Sequence, residues 1–149
     1  MDSSVFIAWI KGEYRNGVAC RPIVEHILGQ AARGDFKIGV STLVLVEVHK
    51  TRTSEMLTSE EDDRILQFFE HSYFEVIDLD RDIAEHANRI CRQFGLKPND
   101  AIHVASALRL ECDVLLYWDD DFKSVHHSDI RCEYPEKRGQ LPLIEDSSG

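Results

Sequence analysis

One segment joins a buried-strand pattern to three consecutive acids: Val114-Leu115-Leu116-Tyr117-Trp118-Asp119-Asp120-Asp121. Three carboxylates at the end of a buried strand repel one another, so a compensating positive charge is expected. Asp2, Glu47 and Asp100 each lie at or just beyond a predicted turn between a strand and a helix. Carboxylates that share such an edge converge in an α/β fold, and the simplest compensating agent is a hard divalent cation. The sequence therefore predicts metal-assisted hydrolysis.

The composition is that of one globular domain. The chain has 149 residues, 43% hydrophobic and 30% charged, which suits a full core and an ordinary polar surface. No apolar stretch approaches a membrane span and no signal peptide opens the sequence, so we expect no membrane association. The four cysteines are scattered, which favours reduced thiols and a cytoplasmic location. We assign residues 1–144 to a single domain and residues 145–149 to a polar C-terminal tail.

The net charge of −10 leaves two interpretations open. Phosphate binding usually requires a basic face, so composition alone favours a metabolic or binding protein. The other interpretation is an acidic site loaded with cations, with local basic patches that bind phosphates. Candidates for these patches, for which surface ion pairs are the alternative, are Lys11, Arg15, Lys50 and Arg52.

Helical and strand patterns alternate along the chain. Strands are predicted at residues 36–40, 74–79, 113–118 and 130–134. Thr58 and Glu61 form a capping box that starts one helix. Gly95 ends the next helix, which Asp80 or Asp82 opens. Because the strands are apolar throughout instead of alternating, they predict a mainly parallel sheet covered on both faces, with its sites beyond the carboxyl ends of the strands.

Asp100 and Glu47 are the most informative of the acids. Asp100 opens a helix whose small residues allow close approach to the sheet, and a helix N-terminus favours an ionised carboxylate. An ordinary acidic residue in a first turn is the alternative. Glu47 interrupts the apolar run at residues 43–48, so its side chain lies either on a narrow solvent-facing stripe or in a pair. Asp2 alone is uninformative, because it could equally be a helix cap or part of a disordered terminus.

Phe122 follows the three aspartates directly. An aromatic residue so placed folds the loop back onto the core. It would hold Asp119 and Asp121 against the strand ends and leave Asp120 facing solvent. A polar loop with a negative surface patch is the alternative.

Four segments together resemble the PIN-domain family, in particular its VapC-type toxins of toxin–antitoxin pairs. They are residues 1–5 with Asp2, 41–48 with Glu47, 99–107 with Asp100 and 119–122 with Asp119. The third is the most specific and reads Asn99-Asp100-Ala101-Ile102-His103-Val104-Ala105-Ser106-Ala107. The resemblance implies a three-layer α/β/α fold and catalysis by Asp2, Glu47, Asp100 and Asp119. It also implies that these four residues and Asp121 bind Mg²⁺ or Mn²⁺, with Ser4 in an auxiliary role.

The function that this resemblance implies is an endoribonuclease, the toxin of a type II toxin–antitoxin pair, with RNA as substrate and a cognate antitoxin as partner. A homodimer is also implied. First-helix surface in this family often contacts the dimer partner or the antitoxin. That surface corresponds here to Val5, Phe6, Trp9 and Ile10, for which core packing is the alternative.

Two features depart from the family pattern. The family has a short apolar strand before its first aspartate, whereas only Met1 precedes Asp2. We therefore expect a truncated first strand and a poorly anchored Asp2. Tyr117 and Trp118 also stand where small hydroxyl residues are usual. They either narrow the substrate groove and stack on an unpaired base, or pack in the core.

Other functions remain as alternatives. A phosphatase of the haloacid dehalogenase type needs a second aspartate where this chain has Ser4, and a receiver-type module needs its acid pair early in the chain. A PIN-domain nuclease that acts in RNA processing without a toxin role stays open, as does a non-catalytic PIN-like binding module.

Overall fold

Helices and parallel strands alternate in the computed structural model, which describes residues 1–51 and 58–139. The described residues form seven α-helices: α1 (Ser3–Lys11), α2 (Cys20–Ala32), α3 (Leu43–Glu47), α4 (Ser59–Phe68), α5 (Arg81–Phe94), α6 (Pro98–Arg109) and α7 (Glu136–Gly139). They also form six strands: β1 (Tyr14–Arg15), β2 (Val18–Ala19), β3 (Ile38–Ser41), β4 (Phe74–Ile77), β5 (Val114–Leu116) and β6 (Arg131–Glu133). Two 3₁₀ helices cover Val48–Thr51 and Asp120–Ser124. The predicted tail at 145–149 lies outside the described residues, as does Arg52.

The sheet consists of two parallel pairs, β3 with β4 and β5 with β6. The first two residues lie between these pairs. The Met1 amine donates to the Gly39 carbonyl at 2.8 Å, and the Asp2 N–H donates to the Leu116 carbonyl at 3.0 Å. Bonds that alternate in this way to two neighbours are those of a central strand. Residues 1 and 2 are not assigned as a strand, in agreement with a shortened first strand.

The hydrophobic core has two parts, one on each face of the sheet. Leu116 belongs to the part around α1 and α2, whereas Leu115 belongs to the part around α5 and α6. Successive residues of a strand point to opposite faces, so β5 is covered by helices on both sides. This arrangement confirms the predicted three-layer α/β fold.

Two expectations about the strands are wrong. The first is that every strand is apolar throughout. β4 has exposed residues at Glu75 and Val76. Within the described residues it pairs with β3 alone, which makes it an edge strand, and an edge strand needs less apolar surface than a central one. The second is that Asp2 is poorly anchored. Asp2 is 3% exposed, its backbone N–H donates to β5, and its carboxylate caps α1.

Several aromatic and apolar residues with open assignments lie in the core. Tyr117 and Trp118 are buried, which favours core packing over contact with a base. Val5 and Phe6 are fully buried, and Trp9 packs on the ring of Phe68 with 4.9 Å between centroids. Val5 and Phe6 therefore stabilise the fold. Trp9 and Ile10 are half-buried, so contact of these two residues with a dimer partner or antitoxin stays a prediction. None of the helices within 1–51 and 58–139 is long and apolar enough to cross a bilayer.

Candidate active site

Asp2 and Ser4 fix the start of α1 against the end of β5. Asp2 caps the helix, since its Oδ2 accepts the Ser4 N–H at 3.0 Å. Ser4 Oγ in turn accepts the backbone N–H of Trp118 at 3.0 Å. Asp119 follows Trp118 directly, so these two bonds bring the first and fourth acidic segments together. A contact between Ser4 and a metal-bound water stays a prediction.

Glu47 is the last residue of α3, and three protein donors bind its buried carboxylate. Its Oε1 lies 2.6 Å from His103 Nε2 and accepts from Ser3 Oγ at 3.2 Å, while Oε2 accepts from Asn99 Nδ2 at 3.0 Å. Burial alone would raise the pKa of Glu47, but the hydrogen bonds of His103 and Asn99 outweigh it and lower the pKa to about 2. An ionised carboxylate only accepts, so His103 Nε2 is the donor. The paired interpretation of Glu47 is therefore confirmed.

His103 lies between two of the acidic segments. Besides its bond to Glu47, its Nε2 lies 3.3 Å from Asp2 Oδ1, and its side chain is 2% exposed. The imidazole thus bridges the carboxylates of Asp2 and Glu47. His103 therefore acts as a hydrogen-bonding residue between two acidic segments.

Asp100 is the third residue of α6 and is 4% exposed. Its Oδ2 is buried without a hydrogen-bond partner. Burial, followed by the negative charges of Asp2, Asp121 and Asp119, raises the pKa of Asp100 to about 7. Asp2, Asp119 and Asp121 are therefore near enough to Asp100 for their charges to disfavour its ionised form.

The three aspartates after β5 differ in their partners, although Asp119 and Asp120 are both exposed and Asp121 is half-buried. Asp119 Oδ1 accepts the Asp121 N–H at 3.3 Å, and loss of part of its hydration raises the pKa of Asp119. Asp120 is exposed and instead binds Tyr134 Oη at 2.5 Å and Lys123 Nζ at 3.2 Å. The expected solvent-facing position of Asp120 is confirmed, and so is the burial of the following aromatic residue, which is 0% exposed.

The chemistry of the donors fits a hard cation. No group of three or more His, Cys, Asp or Glu side chains within the described residues stands in metal-ligand geometry. The buried oxygen of Asp100 nevertheless has no partner among neighbours that repel it, and carboxylate oxygens are the ligands that Mg²⁺ and Mn²⁺ prefer. The residues that would hold such a cation are Asp2, Asp100, Asp119 and Asp121.

Sequence reasoning missed three contributors to the site. Ser3 and Asn99 bind Glu47, and Lys97 binds Asp121 at 3.1 Å. Asn99 had a signal in the sequence, because it stands four residues before His103 and such residues share a helix face.

Two of the candidate phosphate-binding residues are held in ion pairs. Lys11 and Arg15 both pair with Glu13, at 3.7 and 2.9 Å. Surface ion pairing therefore explains these two residues. Lys50 and Arg52 are not covered, since the side chain of Lys50 and all of Arg52 lie outside the described part of the chain.

The fold is that of an α/β protein with parallel strands, in which α3 with Glu47 follows β3 and Asp119 follows β5. A family model described as the PIN domain matches residues 1–127. The chain therefore belongs to the PIN-domain family, whose members are generally nucleases.

Solved structures give a second comparison. The chain is similar to one from a "Toxin-antitoxin complex from Klebsiella pneumoniae", with 20% sequence identity and a TM-score of 0.59. The match covers 90% of this chain and 94% of the other, and at this identity it establishes the fold alone. No match was found among curated proteins.

Proposed function

We propose that this PIN domain is a metal-dependent endoribonuclease that hydrolyses RNA phosphodiester bonds at the cluster of Asp2, Asp100, Asp119 and Asp121. One observation carries the proposal: Asp100 is buried with an unpartnered oxygen among three other carboxylates. Ionised carboxylates in such an arrangement are unfavourable unless a proton or a bound cation compensates them, and a divalent cation can compensate several at once. Membership of a family of nucleases supports the reaction class.

The chemistry of the site follows from its oxygen donors. A bound Mg²⁺ or Mn²⁺ would supply Lewis acidity and lower the pKa of a bound water. The four aspartates provide hard oxygen ligands for it, and the buried position of Asp100 keeps competing water away from one of them. Glu47 already accepts three hydrogen bonds from the protein. Its role in our proposal is to hold His103, which in turn holds Asp2.

We further propose that the chain is the toxin of a type II pair, with an antitoxin as partner, and that it acts as a homodimer in the cytoplasm. The toxin role is supported by the similarity to a solved chain that comes from a toxin–antitoxin complex. The free state of all four cysteines agrees with a reducing compartment.

Asp100→Asn tests the nuclease proposal. Removing one carboxylate of the cluster should lower kcat/KM for RNA cleavage by at least about a hundredfold. Circular dichroism should show an unchanged fold, since the substitution relieves repulsion. Asp120→Asn is the matched control, because Asp120 binds Tyr134 and Lys123 outside the cluster, and it should keep activity. Full cleavage by Asp100→Asn, or by the wild type in excess chelator, would refute the proposal.

The toxin role has a separate test. Expression of the wild type should arrest growth of a bacterial host, expression of Asp100→Asn should not, and the product of a neighbouring small reading frame should restore growth. Cleavage of RNA in vitro without any growth arrest would instead indicate a nuclease of RNA processing.

A further inference from the structure

Among the described residues, Lys97 is a basic side chain that reaches the acidic cluster. It directly precedes α6, and its Nζ lies 3.1 Å from Asp121 Oδ2. The hydrogen bond and charge of Asp121, followed by the charges of Asp100 and Asp119, raise the pKa of Lys97. The contact with Asp121 therefore places the ammonium group of Lys97 at the edge of the cluster.

Other basic side chains with described contacts are held elsewhere. Lys11 and Arg15 pair with Glu13, and Lys123 pairs with Asp120 on the other side of the segment after β5. Lys97 is also the cation whose charge lowers the pKa of Asp119, against the burial that raises it. Among these side chains, Lys97 is thus the one placed to meet a ligand at the cluster.

The ion pair of Lys97 with Asp121 is exposed to solvent and can exchange partners. The Lys97 side chain is 71% exposed and that of Asp121 is 35% exposed. Exposed ion pairs are weak because water screens them. A phosphate oxygen that arrives at the cluster can therefore replace the Asp121 carboxylate as the acceptor of the ammonium group at small cost.

We propose that Lys97 is a substrate-binding residue that donates to a non-bridging phosphate oxygen of the RNA cleaved at this site. The inference rests on the proposed function, because it assigns the substrate contact of the same cluster. It also explains how a chain with a net charge of −10 binds a polyanion. Local positive charge at the edge of the cluster replaces a general basic face.

The test compares Lys97→Met and Lys97→Arg with Lys123→Met. Lys123 is similarly exposed, at 59%, and also bonds an aspartate, so its substitution controls for loss of one surface charge. The probe is a fluorescein-labelled RNA hairpin. Its cleavage is measured with Mg²⁺ or Mn²⁺ over a range of salt concentrations, and its binding is measured by anisotropy with Ca²⁺ in place of Mg²⁺.

Loss of one charge-assisted bond to phosphate should raise KM and weaken hairpin binding by about tenfold in Lys97→Met, with little change in kcat. The slope of log(kcat/KM) against log salt should become shallower by about one unit. Lys97→Arg should stay close to the wild type, and so should Lys123→Met. Mn²⁺ binding without RNA, followed by electron paramagnetic resonance, should be unchanged or tighter in Lys97→Met, because a competitor for Asp121 is gone.

The outcomes separate this inference from the proposed function. Wild-type values of KM, binding and salt slope in Lys97→Met would overturn the inference while leaving the nuclease intact. Weaker Mn²⁺ binding in that variant would also overturn it, since Lys97 would then organise the acids. Binding of the hairpin without cleavage in the wild type would refute the nuclease. Weaker binding by Lys97→Met than by the wild type would then still support the phosphate contact of Lys97, and equal binding would overturn it. A wild type that neither binds nor cleaves the hairpin would refute both.

Discussion

At the scale of single residues, the site is made of carboxylates in two opposite states. Glu47 is stabilised as an anion by hydrogen bonds from His103, Asn99 and Ser3. Asp100 lies close by and is destabilised as an anion by burial and by its acidic neighbours. The difference comes from the partners, because both side chains are buried. The two residues therefore respond to pH with opposite sign.

Ionised Glu47 should stabilise the folded protein at neutral pH and lose this effect in acid. Its folded pKa of about 2 is below its ordinary value of 4.5. Its contribution is therefore fully present above pH 4.5 and is lost as the pH falls through 2. Glu47→Gln should lower the free energy of unfolding at pH 7 by about 1.5–3 kcal/mol, the value of bonds to a charged group. Urea denaturation measures this, with Glu25→Gln at an exposed position as the control.

The same denaturation series gives the contradicting outcome for Glu47. Glu47→Gln and the wild type could instead lose stability in parallel between pH 4.5 and 2. The ionised form of Glu47 would then contribute nothing to stability through its hydrogen bonds, and its proposed role in holding His103 would fail.

Asp100 should destabilise the metal-free protein as the pH rises. Its folded pKa of about 7 is above its ordinary value of 3.8. The stability that protonated Asp100 contributes is therefore fully present below pH 3.8 and is lost as the pH rises through 7. In the presence of chelator, the free energy of unfolding of the wild type should fall across this range relative to Asp100→Asn. Equal pH profiles of the two proteins would contradict the buried, repelled state of Asp100.

The residue pattern predicted part of this site. The position of Glu47 within an apolar run required a partner or a narrow polar stripe, and the partner was found. The sequence did not identify Ser3 as a donor, since Ser3 is 44 residues away from Glu47. The two residues come together because α1 packs against the 3₁₀ helix Val48–Thr51, which directly follows Glu47. Local patterns identify a constrained side chain, whereas its partners depend on tertiary contacts.

At the scale of elements, Ser4 connects α1 to the end of β5. Ser4→Ala would leave the partly buried N–H of Trp118 without its acceptor, at a cost of about 1–3 kcal/mol in the free energy of unfolding. RNA cleavage should also fall, because Asp119 follows Trp118. Ser128→Ala is the control, since the Ser128 hydroxyl lies at an exposed position and contacts only Asp129 among the described residues. An unchanged free energy of unfolding in Ser4→Ala would show that this bond does not fix the two elements.

Elements with local signals were predictable, and those that depend on pairing were less so. The capping box at Thr58 and the helix end at Gly95 are both confirmed, because caps are decided within one turn of the chain. The predicted strands were too long, because a strand ends where its hydrogen-bonded pairing with a neighbour ends, and the apolar pattern continues beyond that point. The hairpin of β1 and β2 was missed although Asn16-Gly17 signals it. Both residues have positive φ, 53° and 75°, as a tight hairpin turn requires.

At the scale of the whole molecule, the acidic charge and the acidic site act together. A net charge of −10 opposes the compact state by self-repulsion, and the cluster concentrates part of that charge beyond the strand ends. Monovalent salt screens the general repulsion. A divalent cation bound at the cluster would add a specific effect, which depends on the residues that hold it.

Mn²⁺ should therefore raise the melting temperature of the wild type at constant ionic strength. A cation that binds only the folded state adds about 2.7 kcal/mol of stability at a concentration of one hundred times its Kd. Calorimetry with Mn²⁺, against NaCl adjusted to equal ionic strength, measures the specific part. Asp100→Asn should lose most of the Mn²⁺ effect and keep the NaCl effect, whereas Asp120→Asn should keep both, because Asp120 binds Tyr134 and Lys123 away from the cluster. Equal stabilisation of all three proteins by Mn²⁺ would mean that the ion acts through general screening, and the four aspartates would then not form a metal site.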